Sequence, residues 1–489
     1  MASESKRTPY QVTFAVLATA VASFALLQSM VVPVLATIQG DFHTTQNTVT
    51  WVLTAYLLSA SVFTPIMGRL GDMLGKERVL VITMAVLVAG SLLAALASTI
   101  TVMIIARVIQ GVGGGVLPLS FGIIRDEFPR ERVGSAVGVL AALTAAGGGL
   151  GLVLAGPIVS VLDYHWLFWL PMIVVGLATV GAHLWVPESP VRSAGGMSWP
   201  GAALLSIWLV ALLLAISQAP VWGWLSTKVV GLLVTAAVVA GIWLLVEIRS
   251  KSPMIDIRMM RLHAVWTTNL VALLVGVGMY ATFAFLPEFV QTPSSAGYGF
   301  GASVTKSGLI LLPSGIAMFV LGMLSGRLSA RFGPKAVLVA GSGVSVAAFA
   351  VLTFAHESVA EVIVAMILQG VGFGLAFAAM ANLIVLAVPA DQTGVATGMN
   401  ANIRTIGGAI GAAVMSSIVT ANLGSNGLPR EGGYTHGFAM LMGVAVVATL
   451  ASILVPSVGR SPAPADHERA PHAELGLIAA GTLAGDESE

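Results

Sequence analysis

Fourteen runs of mostly apolar residues, each about as long as a helix needs to cross a bilayer, leave this chain few folds to adopt. They lie near residues 12–34, 49–67, 79–98, 102–124, 134–157 and 166–186, then 200–218 and 229–247. Six more follow near 266–290, 306–325, 336–355, 360–386, 394–420 and 437–457. In lipid every backbone N–H and C=O must be satisfied within the protein, so runs of this length read as helices. Outer-membrane strands would be shorter and would alternate in polarity. Composition agrees: 57% of the 489 residues are hydrophobic and 9% charged, against about a quarter charged in soluble domains. Charge this sparse disfavours soluble multidomain enzymes, disordered scaffolds and nucleic-acid binders together, and the absence of cysteine excludes disulfides, thiolate metal sites and cysteine nucleophiles.

The first run is too long for a secretory signal, lacks a small-residue cleavage site and precedes thirteen others, so it reads as an uncleaved first helix. Residues 1–11 form a polar flank. The segment 458–489, rich in Pro, Ala and acidic residues, reads as a disordered tail. With an even number of spans both ends share one side. That side carries eighteen of the 23 Lys and Arg, including Arg69, Lys76, Arg78, Arg125, Arg192, Lys251 and Arg327. The other side carries Lys228, Lys306 and Arg430, while Arg107 and Arg404 fall inside spans. The positive-inside rule therefore predicts a multi-pass protein of the cytoplasmic membrane with both termini cytoplasmic.

The chain also repeats itself. GRLGDMLGKERVL at 68–80 returns as GRLSARFGPKAVL at 326–338, six of thirteen positions identical at an offset of 258. ARVIQGVGGG at 106–115 returns as AMILQGVGFG at 365–374, at an offset of 259. Residues 134–154 return at 394–414, with Gly134, Gly138, Gly147, Gly148 and Gly151 all matched. Three matches in order at nearly one offset define two related six-helix halves, 12–186 and 266–457. Residues 187–265 are an insertion carrying two further helices. Duplicated bundles of this kind hold a central polar site that rocking of the halves exposes to each side in turn.

On these residues the sequence resembles the major facilitator superfamily, specifically its fourteen-helix drug:proton antiporter branch, over about residues 10–458. The resemblance implies an all-α membrane fold of two pseudo-symmetric six-helix bundles with two extra helices between them. The stretch Gly68-Arg69-Leu70-Gly71-Asp72-Met73-Leu74-Gly75-Lys76-Glu77-Arg78 is similar to the family's signature loop, which latches the halves together. Asp72 in such a turn can accept from a helix N-terminus or an Arg. Its copy carries Ala330 at the equivalent position, which restricts the charged latch to the first half.

Arg107 and Gln110, in Arg107-Val108-Ile109-Gln110-Gly111, match the family's fourth-helix motif. An Arg at mid-span costs about 2.5–3.5 kcal/mol on insertion scales and needs a polar partner or a wet cavity. Its repeat counterpart is Met366, so the duplicated architecture does not itself demand it. Arg404 is the reverse case, with Thr144 as its counterpart. It lies four residues from Asn400 on one helical face, near Asn402, and that face either lines the cavity or pairs with a buried carbonyl. Gly147, Gly151, Gly156 and Pro157 resemble the antiporter signature, in which a glycine face and a Gly-Pro pair form a close, kinked contact with the other half. Here Leu152 stands where the pattern has Pro, and plain helix packing explains the glycines equally well.

The branch's first-helix Asp is Gln28 in this chain, and Gln cannot titrate. Glu288, in Phe285-Leu286-Pro287-Glu288-Phe289-Val290, is then the candidate proton carrier, or else an interfacial Glu facing water. A cavity holding Arg107 and Arg404 without a central carboxylate should favour neutral or anionic substrates over lipophilic cations. His183 reads as a packed residue of the sixth span. Gly71–Glu77 is one residue short of a phosphate loop, and no His cluster has metal-ligand spacing. The expectation is a monomeric secondary transporter, not an enzyme, with no cofactor or metal. It would export hydrophobic or amphipathic small molecules, such as drugs, antibiotics or secondary metabolites, in exchange for protons. An uncoupled facilitator or importer of the same fold is the alternative. A membrane receptor would need a soluble output domain that the 458–489 tail is too short to supply.

Overall fold

The computed structural model describes residues 9–457 except 190–195, 251, 422–423 and 425–427. Lys6, Arg7, Arg192, Lys251 and the expected tail at 458–489 lie outside the described residues. Among those described, fourteen helices are long and apolar enough to cross a membrane. They are α1 (Tyr10–Ser29), α2 (Gln46–Leu74), α3 (Lys76–Ala95), α4 (Ile100–Glu127), α5 (Arg130–Val161), α6 (Trp166–Trp185) and α7 (Trp199–Trp222). The chain continues through α8 (Thr227–Arg249), α9 (His263–Gln291), α10 (Val304–Phe332), α11 (Pro334–Phe354), α12 (Val359–Ala387), α13 (Thr393–Thr420) and α14 (Glu431–Leu454).

The helix count is the one the apolar runs predict, but several helices outrun them. The second apolar run spans 49–67, whereas α2 extends to Leu74. The extension carries two charges that the fold buries, Arg69 and Asp72, and these and Lys76 at the start of α3 are all less than a tenth exposed. Paired charges let the helix continue past the point where hydropathy alone ends it. One residue, Gly75, then turns the chain into α3 with φ +114°, and Gly333 does the same between α10 and α11 with φ +85°. A positive φ at both repeat-equivalent turns is where a glycine is required.

The duplication is visible in the packing. Within the first half α1 packs on α5 and α6, α2 on α4, and α3 on α4 and α6. The same pattern returns in the second half as α9 on α13 and α14, α10 on α12, and α11 on α12 and α14. Between the halves α2 packs on α13 and α5 on α10, again related by the repeat, and α5 also meets α12 as α4 meets α13. The inserted α7 and α8 pack on each other, and α7 also touches α2 and α13. Most of α8 faces outward, with only Val229, Ala236, Trp243 and Glu247 buried.

Candidate functional site

Let the near side of the bundle be the one on which α1 begins. There α2 and α13 meet backbone to backbone: a Cβ on Gly68 would lie 2.5 Å from the Gly394 carbonyl oxygen. Beside that contact Asp72 crosses between the halves. Its two carboxylate oxygens accept the N–H of Gly394 at 3.2 Å and of Val395 at 3.0 Å, the first turn of α13. A buried anion thus caps the positive end of a helix in the other half. Lys76, fully buried, lies 3.8 Å from Asp72 and 2.6 Å from Asp126, which also accepts from Ser189.

Arg125 makes the complementary link. It donates to the Val388 carbonyl at 2.6 Å, to Thr393 Oγ1 at 2.7 Å and to the Pro389 carbonyl at 3.3 Å, where α12 ends and α13 begins. An anion at one helix start and a cation at the adjoining helix end both come from the first half, so the near side is held electrostatically as well as sterically. Arg78 stands apart, largely exposed, 3.4 Å from Glu188. His183, expected to pack, is exposed and lies 3.7 Å from Glu77. It lies in the last turn of α6 on the face turned away from the bundle, where Gly181 and Ala182 are the buried residues.

Beyond this closure a cavity of about 400 Å³ lies between the halves. Its wall includes Phe24 and Gln28 of α1, Tyr56 of α2, Arg107 of α4, Thr144 of α5 and Tyr280 of α9. Phe377 of α12 and Asn402, Arg404 and Thr405 of α13 complete it. On α2 the wall spans Leu53 to Thr64, and on α13 it spans Ala401 to Ala412, so it lies entirely on the far side of the Gly68–Gly394 contact. The inserted α7 contributes Leu213 and Ser217.

Arg107 is fully buried. Its Nε donates to the Val52 carbonyl at 3.0 Å, Nη1 donates to Gln110 Oε1 at 2.8 Å, and the guanidinium stacks 4.1 Å over the Tyr56 ring. Gln110 does not reach the cavity: it sits behind Arg107, donates to Ser91 Oγ at 3.0 Å, and fixes the guanidinium from the rear. Arg404 stacks 4.0 Å over Phe377.

The expected shared face of Asn400 and Arg404 divides. The stripe of α13 toward the cavity is Ala401, Thr405, Gly408 and Ala412, flanked by Arg404 on one side and Asn402 on the other. Asn400 is turned farther round, into a narrow crevice of about 10 Å³ that Arg404 also borders, and donates to Asn269 Oδ1 at 2.8 Å. Asn402 is the cavity's free amide: neither its Nδ2 nor its Oδ1 has a partner among the described residues.

Glu288 is exposed and is not part of the cavity wall; it lies one helical turn beyond Ala284, which is. The glycines of α5 also need correction. Gly147 and Gly151 do not face the other half but pack on α1, where Ser29 Oγ donates to the Gly147 carbonyl at 3.1 Å. The contact with α10 is made by Gly138, Gly149 and Gly156, against Gly322, Gly315 and Thr305 respectively. Pro157 lies within α5, which continues to Val161.

A two-fold repeated helical bundle, sealed on one side and enclosing a polar-studded cavity between its halves, defines a membrane transporter and not an enzyme. Comparison with known proteins agrees. The Major Facilitator Superfamily profile matches residues 17–196 and 268–482, and the chain belongs to that family. It is 27% identical to the multidrug transporter protein MdtP of Bacillus subtilis (strain 168), over 77% of this chain and 69% of that one. It is 26% identical to the multidrug resistance protein B homolog of Mycobacterium tuberculosis (strain H37Rv), over 89% of this chain and 87% of that one. The crystal structure of the human organic anion transporter MFSD10 (TETRAN) superposes with a TM-score of 0.65 at 16% identity, covering 91% of this chain and all of that one. At that identity the likeness concerns the fold.

Proposed function

We propose that this transporter is a monomeric exporter of the cytoplasmic membrane, with its near side cytoplasmic. It moves hydrophobic or amphipathic small molecules, drugs among them, by alternating access. The observation that carries the reading is the cavity between the halves, walled by both and closed on one side by Asp72 on the start of α13. The multidrug relatives and the predominantly apolar wall support efflux of amphipathic compounds.

Exchange for protons needs a carboxylate that meets water on both sides in turn. Glu288, near the far end of α9 and close beyond the cavity, is the one proposed. One observation favours a second reading, an uncoupled facilitator: no Asp or Glu lines the cavity among the described residues. Transport of a fluorescent substrate in vesicles under an imposed pH gradient separates the two. Gradient-driven accumulation in wild type that Glu288→Gln loses, with exchange retained, supports antiport through Glu288. Indifference of the wild type to the gradient selects the facilitator.

A further inference from the structure

We propose that the cavity selects substrates bearing an anionic group, a carboxylate or sulfonate on an aromatic or aliphatic body, and that Arg107 and Arg404 read that charge. The inference rests on the transport reading and deepens it.

The first support is charge balance. The cavity wall holds two arginines and no Asp or Glu among the described residues, and neither arginine makes a salt bridge there. A charge held in apolar surroundings without a counter-charge raises the energy of the empty site, and an entering anion relieves it. A cationic drug would instead meet two like charges across a low dielectric, where repulsion is strongest.

The second support is open hydrogen-bonding capacity. Arg107 Nη2 is buried without a partner, as is Arg404 Nε, in side chains 0% and 8% exposed. Asn402, 2% exposed and on the same wall, has its amide unpaired as well. Buried polar groups in folded proteins are nearly always bonded, so unpaired donors gathered on one cavity mark where a ligand's acceptor belongs.

The third is orientation. Each guanidinium carbon sits over an aromatic ring, Arg107 4.1 Å from the Tyr56 centroid and Arg404 4.0 Å from that of Phe377, a cation–π contact that occupies none of the N–H donors. Gln110 and the Val52 carbonyl lock the Arg107 plane from behind. The two arginines come from opposite halves, and their repeat counterparts are Met366 and Thr144. Packing symmetry therefore requires neither.

The test uses the full chain in lipid nanodiscs and three probes on one ring system: 2-naphthoate, 2-naphthalenemethanol and 2-naphthylmethylammonium. Calorimetry should give naphthoate an affinity at least about tenfold above the ammonium, the scale of one charge-assisted hydrogen bond. Arg404→Gln and Arg107→Gln should each weaken naphthoate about tenfold and the uncharged alcohol clearly less. Arg404→Lys, which keeps charge but not the fork, should recover charge preference only in part. Should Arg107→Gln fail to fold, the wild-type ranking and Arg404→Gln decide alone.

Equal or tighter binding of the ammonium, or no binding of naphthoate, overturns the proposal. Counterflow of the same probes in proteoliposomes separates this inference from the transport reading. Selective naphthoate binding without counterflow refutes transport and leaves anion selection standing, whereas counterflow of the ammonium but not of naphthoate refutes anion selection and leaves transport standing.

Discussion

Asp72 reaches from the first half of the molecule to the main-chain nitrogen of Val395 in the second, 3.0 Å away, with Gly394 N–H on its other oxygen. Hydrogen bonds to a charged group contribute about 1.5–3 kcal/mol each, more than enough to bias a two-state equilibrium tenfold. Asp72→Asn keeps the shape but removes the charge and one acceptor, so the near side should open. Because the chain contains no cysteine, Leu74→Cys and Leu386→Cys, both about half exposed and on opposite halves, accept two spin labels with no competing site. The label distance should lengthen in the Asp72→Asn background. An unchanged distribution would mean that the α2–α13 backbone contact closes this side without the carboxylate.

Arg107 is tied to Val52, Gln110 and the Tyr56 ring at once. Arg107→Ala should abolish transport while membrane abundance and monodispersity stay near wild type, since most of its contacts serve a guanidinium facing a cavity. Arg107→Lys should restore little, because an ammonium cannot reach the carbonyl and the amide from one planar group. Normal transport by Arg107→Ala would reduce the residue to packing.

What the sequence made legible follows from what lipid forbids. Backbone cannot be left unsatisfied in a bilayer, so the fourteen helices could be counted, and a charge in an apolar span is costly, so Arg107 and Arg404 located the cavity. Residues whose role depends on which neighbour they meet were not legible. Five glycines crowd residues 147–156 of α5 and cover every side of the helix, so nothing local assigns Gly151 to α1 and Gly149 to α10. In the sequence Arg125 reads only as a topological charge, although it binds the end of α12. The comparison that marked Arg107 would have marked it too, since the residue 259 positions on is Ile384. Asn400 and Asn402 are both pathway candidates in the sequence, yet only Asn402 reaches the cavity, because spacing says which residues share a face but not which helix that face meets.

Sidedness can be read chemically. With the positive-rich side cytoplasmic, Leu225, almost fully exposed in the α7–α8 turn on the far side, should be external, and Arg78, exposed on the near side, internal. A membrane-impermeant maleimide should label Leu225→Cys in intact cells, and Arg78→Cys only after permeabilisation. Labelling in the opposite order would invert the protein and, with it, the side to which the cavity opens.

The α5–α10 seam between the halves should tolerate little added volume. A methyl on Gly326 would lie 2.5 Å from the Ser135 Cα, a backbone atom that cannot swing aside, so Gly326→Ala must push the two halves apart. Overpacking of this kind costs about 1–3 kcal/mol. Gly343, on α11, has nothing within 4 Å of the same added methyl, and Gly343→Ala provides the matched control with the same gain in helix propensity. Thermal denaturation in detergent followed by size exclusion should therefore show Gly326→Ala melting several degrees below wild type and Gly343→Ala at or slightly above it. Transport should fall only in the former, because a seam that bridges the halves along α5 must re-form in each cycle of their movement. Equal melting of the two variants would show that the seam yields without cost and that the closure at Asp72 alone holds the halves in register.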